Sequence, residues 1–277
     1  MAHLVGGFLM PHLPTIPSGD LLEDGDLKDR VYGAFDTITA RLRELQVDTV
    51  IIVGDDHYES FGPHCVPTCL VVTGDVNVSD HVELLGMPKG LIPNNPALAQ
   101  HIVNTGHAEG IDWAFAKYLG VDHSIAVPYT MTAKKIPGVK VVPVYLNDVI
   151  MPVIRSERAA ELGRSIRRAV DSFPGDERVA IFGTGGISHW VGGPGMGRIN
   201  EEFDRKVMKM VEDGDLDGLI ALPDRDVFEQ AGNGAIEIKN WICAMAAVPE
   251  AQGLTIAYEP VAPWITGCGF SELKLAA

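Results

Sequence analysis

Short apolar, β-branched runs recur along the chain at HLVGGFLM (3–10), VDTVIIVG (47–54), CLVVTGDV (69–76), VKVVPVYL (139–146), RVAIFGTG (178–185) and LTIAYEPV (254–261), bounded by Gly, Pro or Asp. Runs this short and this apolar read as strands buried on both faces. Between several of them the apolar positions change to helical spacing, over 27–45, 96–107, 153–173, 199–211 and 235–248. Strands alternating with helices predict an α/β layered fold, a central, largely parallel or mixed sheet flanked by helices. The chain shows no repeat of fixed period, no low-complexity tract and no Ser- or Pro-rich linker, so a single domain over residues 1–277 is expected. Two stretches read as long loops: 75–95, and 188–197 with four glycines in ten residues. Loops of that length in a compact domain are often functional.

With 277 residues, 46% of them hydrophobic, the chain can bury a full core. Its net charge is −15, and its dense basic cluster, Arg164, Arg167 and Arg168, shares a helical pattern with Glu157 and Glu161. Nucleic acid is therefore not expected as a partner. No apolar run approaches the roughly 20 residues that span a bilayer, so no membrane partner is expected either. Cys65, Cys69, Cys243 and Cys268 lack paired CxxC spacing and follow no signal-peptide pattern, which suits reduced thiols and a cytoplasmic location.

The candidate chemistry lies where the strands stop. Pro11-His12 follows the first run, Asp55-Asp56-His57 the second, and Ser188-His189 lies just past the fifth. Ligands of an open α/β sheet bind outside the carboxyl ends of its strands, so histidines distant in sequence would meet there at one edge. Taken singly, each is an ordinary surface or hydrogen-bonded histidine. Two imidazoles and a carboxylate on one face of an Fe(II) ion leave positions free for substrate and O2. Glu237, in AGNGAIEIKNW near the start of a predicted helix, is the best carboxylate for that role. It would also suit a first helical turn, where it complements the helix dipole. Asp55 and Asp56 compete with it: either could hold a metal with His57, or sit behind a ligand imidazole and fix its tautomer.

The segments GGFLMPH (6–12), GDDHYESF (54–61), VDHSIAVP (121–128), GTGGISHW (183–190) with INEEFD (199–204), and GNGAIEIKNW (232–241), in that order, resemble the class III extradiol ring-cleavage dioxygenases. That group contains the catalytic subunit of protocatechuate 4,5-dioxygenase. The resemblance implies a non-haem Fe(II) held by His12, His57 and Glu237, with His189 as the active-site acid/base. His123 matches a second histidine of the group, although the residue after it is usually Gly and here is Ser124. His123 could otherwise be a buried histidine bonded to Asp122 or to backbone. Thr266 falls in the region that contacts substrate in the family, and Cys268 beside it is expected as pocket wall, because a required thiol would oxidise near iron and O2.

The implied reaction inserts both atoms of O2 into a catechol-type ring and gives a ring-opened semialdehyde. His189 would take the second phenolic proton, and His123 would act as an acid in later steps. The implied partners are a small aromatic substrate and O2, with assembly as a homo-oligomer or with a separate small subunit. The same residues would serve cleavage of an aminophenol or a hydroxypyridone, and the same donors accept zinc. A metal-dependent hydrolase of the dinuclear phosphoesterase type would carry Asp-x-His after its first strand, where this chain has Met10-Pro11-His12. A catalytically silent subunit would have lost ligands, and all are present. Basic residues near these segments are few, Lys239 and Arg198 being the nearest in sequence.

Overall fold

A computed structural model describes residues 1–84, 87 and 89–275. The strands are β1 (His3–Met10), β2 (Thr49–Gly54), β3 (Cys69–Val78), β4 (Leu91–Ile92), β5 (Ala114–Val121), β6 (Lys140–Leu146), β7 (Arg178–Thr184), β8 (Gln252–Val261) and β9 (Thr266–Lys274). They form one mixed nine-stranded sheet in the order β4-β3-β6-β2-β7-β1-β9-β8, with β5 paired to β3 off that path. The middle four, β6-β2-β7-β1, are parallel, with Ile51 opposite Val142 on one side and Ile181 on the other. Antiparallel pairing of β3 with β6 and of β9 with β1 flanks them.

Period-2 alternation along β2 divides the core between the two faces of the sheet. Val50 and Ile52 pack with Val31, Phe35, Ile38 and Leu42 of α1 (Gly25–Glu44). Ile51 and Val53 pack on the opposite side with α3 (Pro96–Ala108), α5 (Ser156–Ser172) and α9 (Ile238–Ala247). All six residues of β2 are buried, as its uninterrupted apolar run predicts for a strand covered on both faces. The parallel direction of the middle strands has a functional consequence: Met10, Gly54, Leu146 and Thr184 all end on the same edge of the sheet.

Two expectations need correction. The run 254–261 is not buried on both faces; β8 is the last strand of the sheet, and most of it is only partly buried. The stretch 75–95 is not one irregular loop. β3 continues to Val78, α2 follows at Asp80–Leu84, and β4 folds back on β3 through Val76 opposite Ile92; positions 85, 86 and 88 lie outside the described residues. β5, β9 and α4 (His123–Met131) lie outside the predicted elements, as do α7 (Leu216–Ile220) and α8 (Asp224–Ala231), which follow α6 (Glu201–Asp213). Segment 188–197 does lack regular helix or strand.

Candidate active site

Each histidine at a strand end is delivered to that common edge. His12 follows β1, His57 follows β2 and His189 follows β7. Glu237 closes a 3-10 turn, Gly234–Glu237, that leads directly into α9, and His123 is the first residue of α4. All five side chains, with Thr266 at the start of β9, line one cavity of about 330 Å3.

His12 Nε2 lies 3.4 Å from Glu237 Oε2 and 3.7 Å from Asp55 Oδ1. His57 Nε2 lies 3.4 Å from Glu237 Oε1 and 3.3 Å from Asp55 Oδ2. One ligand atom from each of His12, Asp55, His57 and Glu237 fits within 4.8 Å of all the others, which makes the group a candidate metal site. His12 Nε2 and Asp55 Oδ2 are buried with no hydrogen-bond partner. Buried polar atoms left unpaired are costly unless something else satisfies them, and a cation between them would.

The hydrogen bonds behind the ring nitrogens set which lone pair faces the cluster. The Thr184 hydroxyl stands 3.1 Å from both Val53 O and Ser124 O, so its proton goes to a carbonyl and its oxygen accepts the Nδ1–H of His12 at 3.0 Å. His57 donates its backbone N–H to Asp122 Oδ2 at 2.9 Å and its Nδ1–H to Oδ1 at 3.2 Å. Both imidazoles are thereby held with Nε2 toward Glu237.

Charge within the cluster is unevenly distributed. Burial lowers the His12 pKa to about 4, against the pull of Glu237, so its ring is neutral at pH 7. Burial also opposes a charge on His57, but Asp55 and Asp122 outweigh it and hold its pKa well above the usual histidine value. Glu237 is pulled well below the carboxylate range despite its burial, by His189 and His12. Asp55 is driven upward by burial, with Asp148, Glu237 and Asp122 adding to the effect. These upward shifts favour protons on Asp55 and His57, which a metal bound here would displace.

His189 places Nε2 at 3.3 Å from Glu237 Oε1, with Nδ1 toward Ile187 O at 3.4 Å and its backbone N–H donated to Ala231 O at 2.8 Å. Its ring lies against Gly234, where a Cβ would come within 2.0 Å of Nε2. His123 stacks on His57 at 4.1 Å between ring centroids and donates its Nδ1–H to Glu59 Oε1 at 2.7 Å. Its remaining Nε2 is the nitrogen left for the cavity. Ser124 ties the two halves of the site together. Its hydroxyl donates to Asp55 O at 2.5 Å, and its carbonyl is one of the two acceptors around Thr184.

The two aspartates after β2 separate cleanly in space. Asp56 turns away and accepts the N–H groups of Ser60 and Phe61, fixing the loop. Asp55 is fully buried, faces the Nε2 side of the imidazoles and accepts from Asn240 Nδ2 at 3.2 Å. The acceptor behind His57 is neither of them; it is Asp122. Thr266 is buried on the cavity wall and its hydroxyl donates to Trp264 O. Cys268 does not line the cavity: it shares a face of β9 with Thr266 but lies two residues further along the strand, packed in the core with Phe35 and Phe270.

A family model described as the catalytic LigB subunit of aromatic ring-opening dioxygenase matches residues 6–268. The chain belongs to this family. It is accordingly an enzyme, a ring-cleaving dioxygenase. A 2,3-dihydroxyphenylpropionate/2,3-dihydroxicinnamic acid 1,2-dioxygenase from Rhodococcus sp is 24% identical over 308 residues, covering 95% of this chain and 96% of that protein. A protein of the same name from Escherichia coli K12 / DH10B is 24% identical, covering 94% and 95%. The crystal structure of an uncharacterized protein from Escherichia coli K12 matches with a TM-score of 0.63 at 14% identity, over 97% of this chain and 99% of that one, and shows the shared fold.

Four residues of this LigB-family site had no assigned part in the sequence reading: Thr184, Asp122 in its role behind His57, Glu59 and Asn240. Asp122 alone carried a local signal, since an Asp directly before a helix start is a capping residue, and it does accept the Ser124 N–H at 2.7 Å.

Proposed function

We propose that the chain is a non-haem Fe(II)-dependent extradiol dioxygenase that inserts both atoms of O2 into a catechol-type ring to give a ring-opened semialdehyde. The iron would be held by His12, His57 and Glu237. The observation that carries this is the unpaired, buried Nε2 of His12, turned toward the same point as His57 Nε2 and the Glu237 carboxylate. Two imidazoles held with Nε2 inward and one ionised carboxylate fit the donor set of a ferrous facial site, with Asp55 as a neighbouring carboxylate. When bound, Fe(II) would supply electron density to O2 and a seat for both catechol oxygens.

The remaining work belongs to the chain. His189 would accept the second phenolic proton at Nε2, and the Glu237 carboxylate at 3.3 Å would stabilise the resulting imidazolium. His123, fixed at Nδ1 by Glu59, would donate a proton from Nε2 across the cavity. The apolar wall formed by Leu13, Trp264 and Ile265 would keep bulk water from the ring while it opens.

Oxygen uptake by protein purified without air and reconstituted with Fe(II), followed against a panel of catechols, aminophenols and hydroxypyridones, tests the assignment. Uptake with a new visible-range product band is expected for a catechol. His189→Phe should retain iron and substrate but lose about 10²–10⁴-fold in turnover; near-normal turnover would remove it as the base. His12→Ala, His57→Ala and Glu237→Ala should each lose iron, and full occupancy in any of them would strike that residue from the ligand set.

A further inference from the structure

Resting on ring cleavage at this site, we infer that the cavity selects a catechol whose ring substituent is uncharged and apolar, and discriminates against carboxylated catechols. Its ionisable lining consists of the four histidines and Glu237; the rest is uncharged, and no lysine or arginine is present among the described residues that line it. Both basic residues close to the site in sequence are engaged elsewhere. Lys239 Nζ is buried against Ile154 O and Asp224, and the Arg198 guanidinium lies 4.9 Å over the Trp190 ring, outside the lining.

Three backbone amides of the wall are already committed within the protein. The N–H of Gly186 is donated to Glu237, that of Val191 to Asn233 and that of Ile265 to Ala262 O. Away from the histidines and Glu237, the Thr15 hydroxyl is buried on the wall without a partner, and it carries no charge. A carboxylate substituent packed against this wall would give up its hydration with no lysine or arginine side chain of the lining to replace it, whereas an alkyl or aryl group would gain by burial.

The entrance has the same character. Leu21, Val191 and Met196 are each more than half exposed at its rim. Behind them Ile265 holds φ +53°, a left-handed conformation that is strongly disfavoured for a β-branched residue. Strain of that kind persists where surrounding structure imposes it, often at ligand walls. A net charge of −15 also repels an approaching anion before it reaches the mouth. The relatives named for 2,3-dihydroxyphenylpropionate, a carboxylate, share only 24% of their residues with this chain, which leaves room for a different wall.

The test is anaerobic binding to the Fe(II)-loaded protein, where O2 is absent and no turnover intervenes. Dissociation constants for 4-tert-butylcatechol and 3,4-dihydroxybenzoate would be measured by calorimetry, and kcat/KM for both afterwards in air. The neutral catechol should bind at least tenfold more tightly. Val191→Arg, placed at the exposed rim where a charge does not disturb folding, should narrow that ratio by at least threefold. Equal or tighter binding of the carboxylate would overturn the inference while leaving ring cleavage intact, and so would a ratio that Val191→Arg does not move. Preferential binding of the neutral catechol without cleavage would uphold the selectivity and refute the ring-cleavage assignment.

Discussion

The Asp122 carboxylate accepts two N–H groups of His57 and also caps α4 through the Ser124 N–H. Asn retains capping ability but offers one acceptor oxygen in place of two and no charge. Asp122→Asn should therefore keep the helix while weakening metal binding about 10–100-fold, as removal of an acceptor behind a ligand histidine does; competition with a chromogenic chelator would read this directly. A pH dependence follows from the same hydrogen bonds. His12 is already neutral above about pH 4, whereas Asp122 and Asp55 keep His57 protonated past the usual histidine value. A cation must displace that proton, so metal affinity should rise about tenfold per pH unit up to the raised pKa of His57 and level off beyond it. Calorimetric titration with metal in buffers of differing ionisation enthalpy should show about one proton released near pH 7; none released would place His57 outside the ligand set. The meeting of His12, His57, His189 and Glu237 at one edge of the sheet was legible in the sequence because each follows a strand end or a glycine turn. The partners behind them were not: the Thr184–His12 and Asp122–His57 bonds join residues 172 and 65 positions apart, a separation no local pattern records.

At the scale of elements the site depends on how α9 is seated. Every residue from Ile238 to Ala247 is buried, because α5 covers one side of the helix and β7 the other. Two glycines permit this approach. A Cβ on Gly163 of α5 would come within 2.0 Å of Cys243 O, and one on Gly183 of β7 within 2.7 Å of Asn240 O. Gly163→Ala should cost about 1–3 kcal/mol by overpacking, read as a lower urea midpoint at unchanged slope. Gly183→Ala acts at the end of α9 that carries Asn240, the donor to Asp55, so it should lower metal affinity as well as stability. A Gly183→Ala protein with normal metal binding would show that α9 can shift without disturbing the cluster. Central strands such as β2 were readable as continuous apolar runs. β5 was not, since its AFAKYLGV sequence carries Lys117 and only Val121 of the strand is fully buried, and neither was β9, whose burial comes from pairing with β1 and β8 and not from its own composition. The α4 helix, with Pro128 inside it and nearly every residue buried, has no polar face from which a helical period could be read.

For the whole molecule, the edge that carries the site also gathers buried carboxyl groups. Asp55, Asp122, Asp148 and Glu237 are all buried there, in a chain with 37 acidic and 22 basic residues. Asp148 has neither oxygen hydrogen-bonded, and burial together with Glu237 pushes its pKa well upward. Folding must bring these carboxylates together against their mutual repulsion and loss of hydration. A divalent cation would offset that cost in the native state alone, because its proposed ligands follow β1 and β2 and precede α9 and converge only when the sheet has formed. The metal should consequently behave as a structural cross-link as well as a cofactor. At a free concentration 100 times Kd it would add about 2.7 kcal/mol, which for a chain of 277 residues corresponds to a rise of about 5 °C in Tm. Thermal unfolding of metal-loaded and chelator-treated protein should show that difference, and His12→Ala should unfold at one temperature whether or not metal is added. If loaded and stripped protein unfold together while metal is demonstrably bound, the binding site lies in a part of the molecule that survives unfolding, and the convergence of strand ends on one cation is excluded.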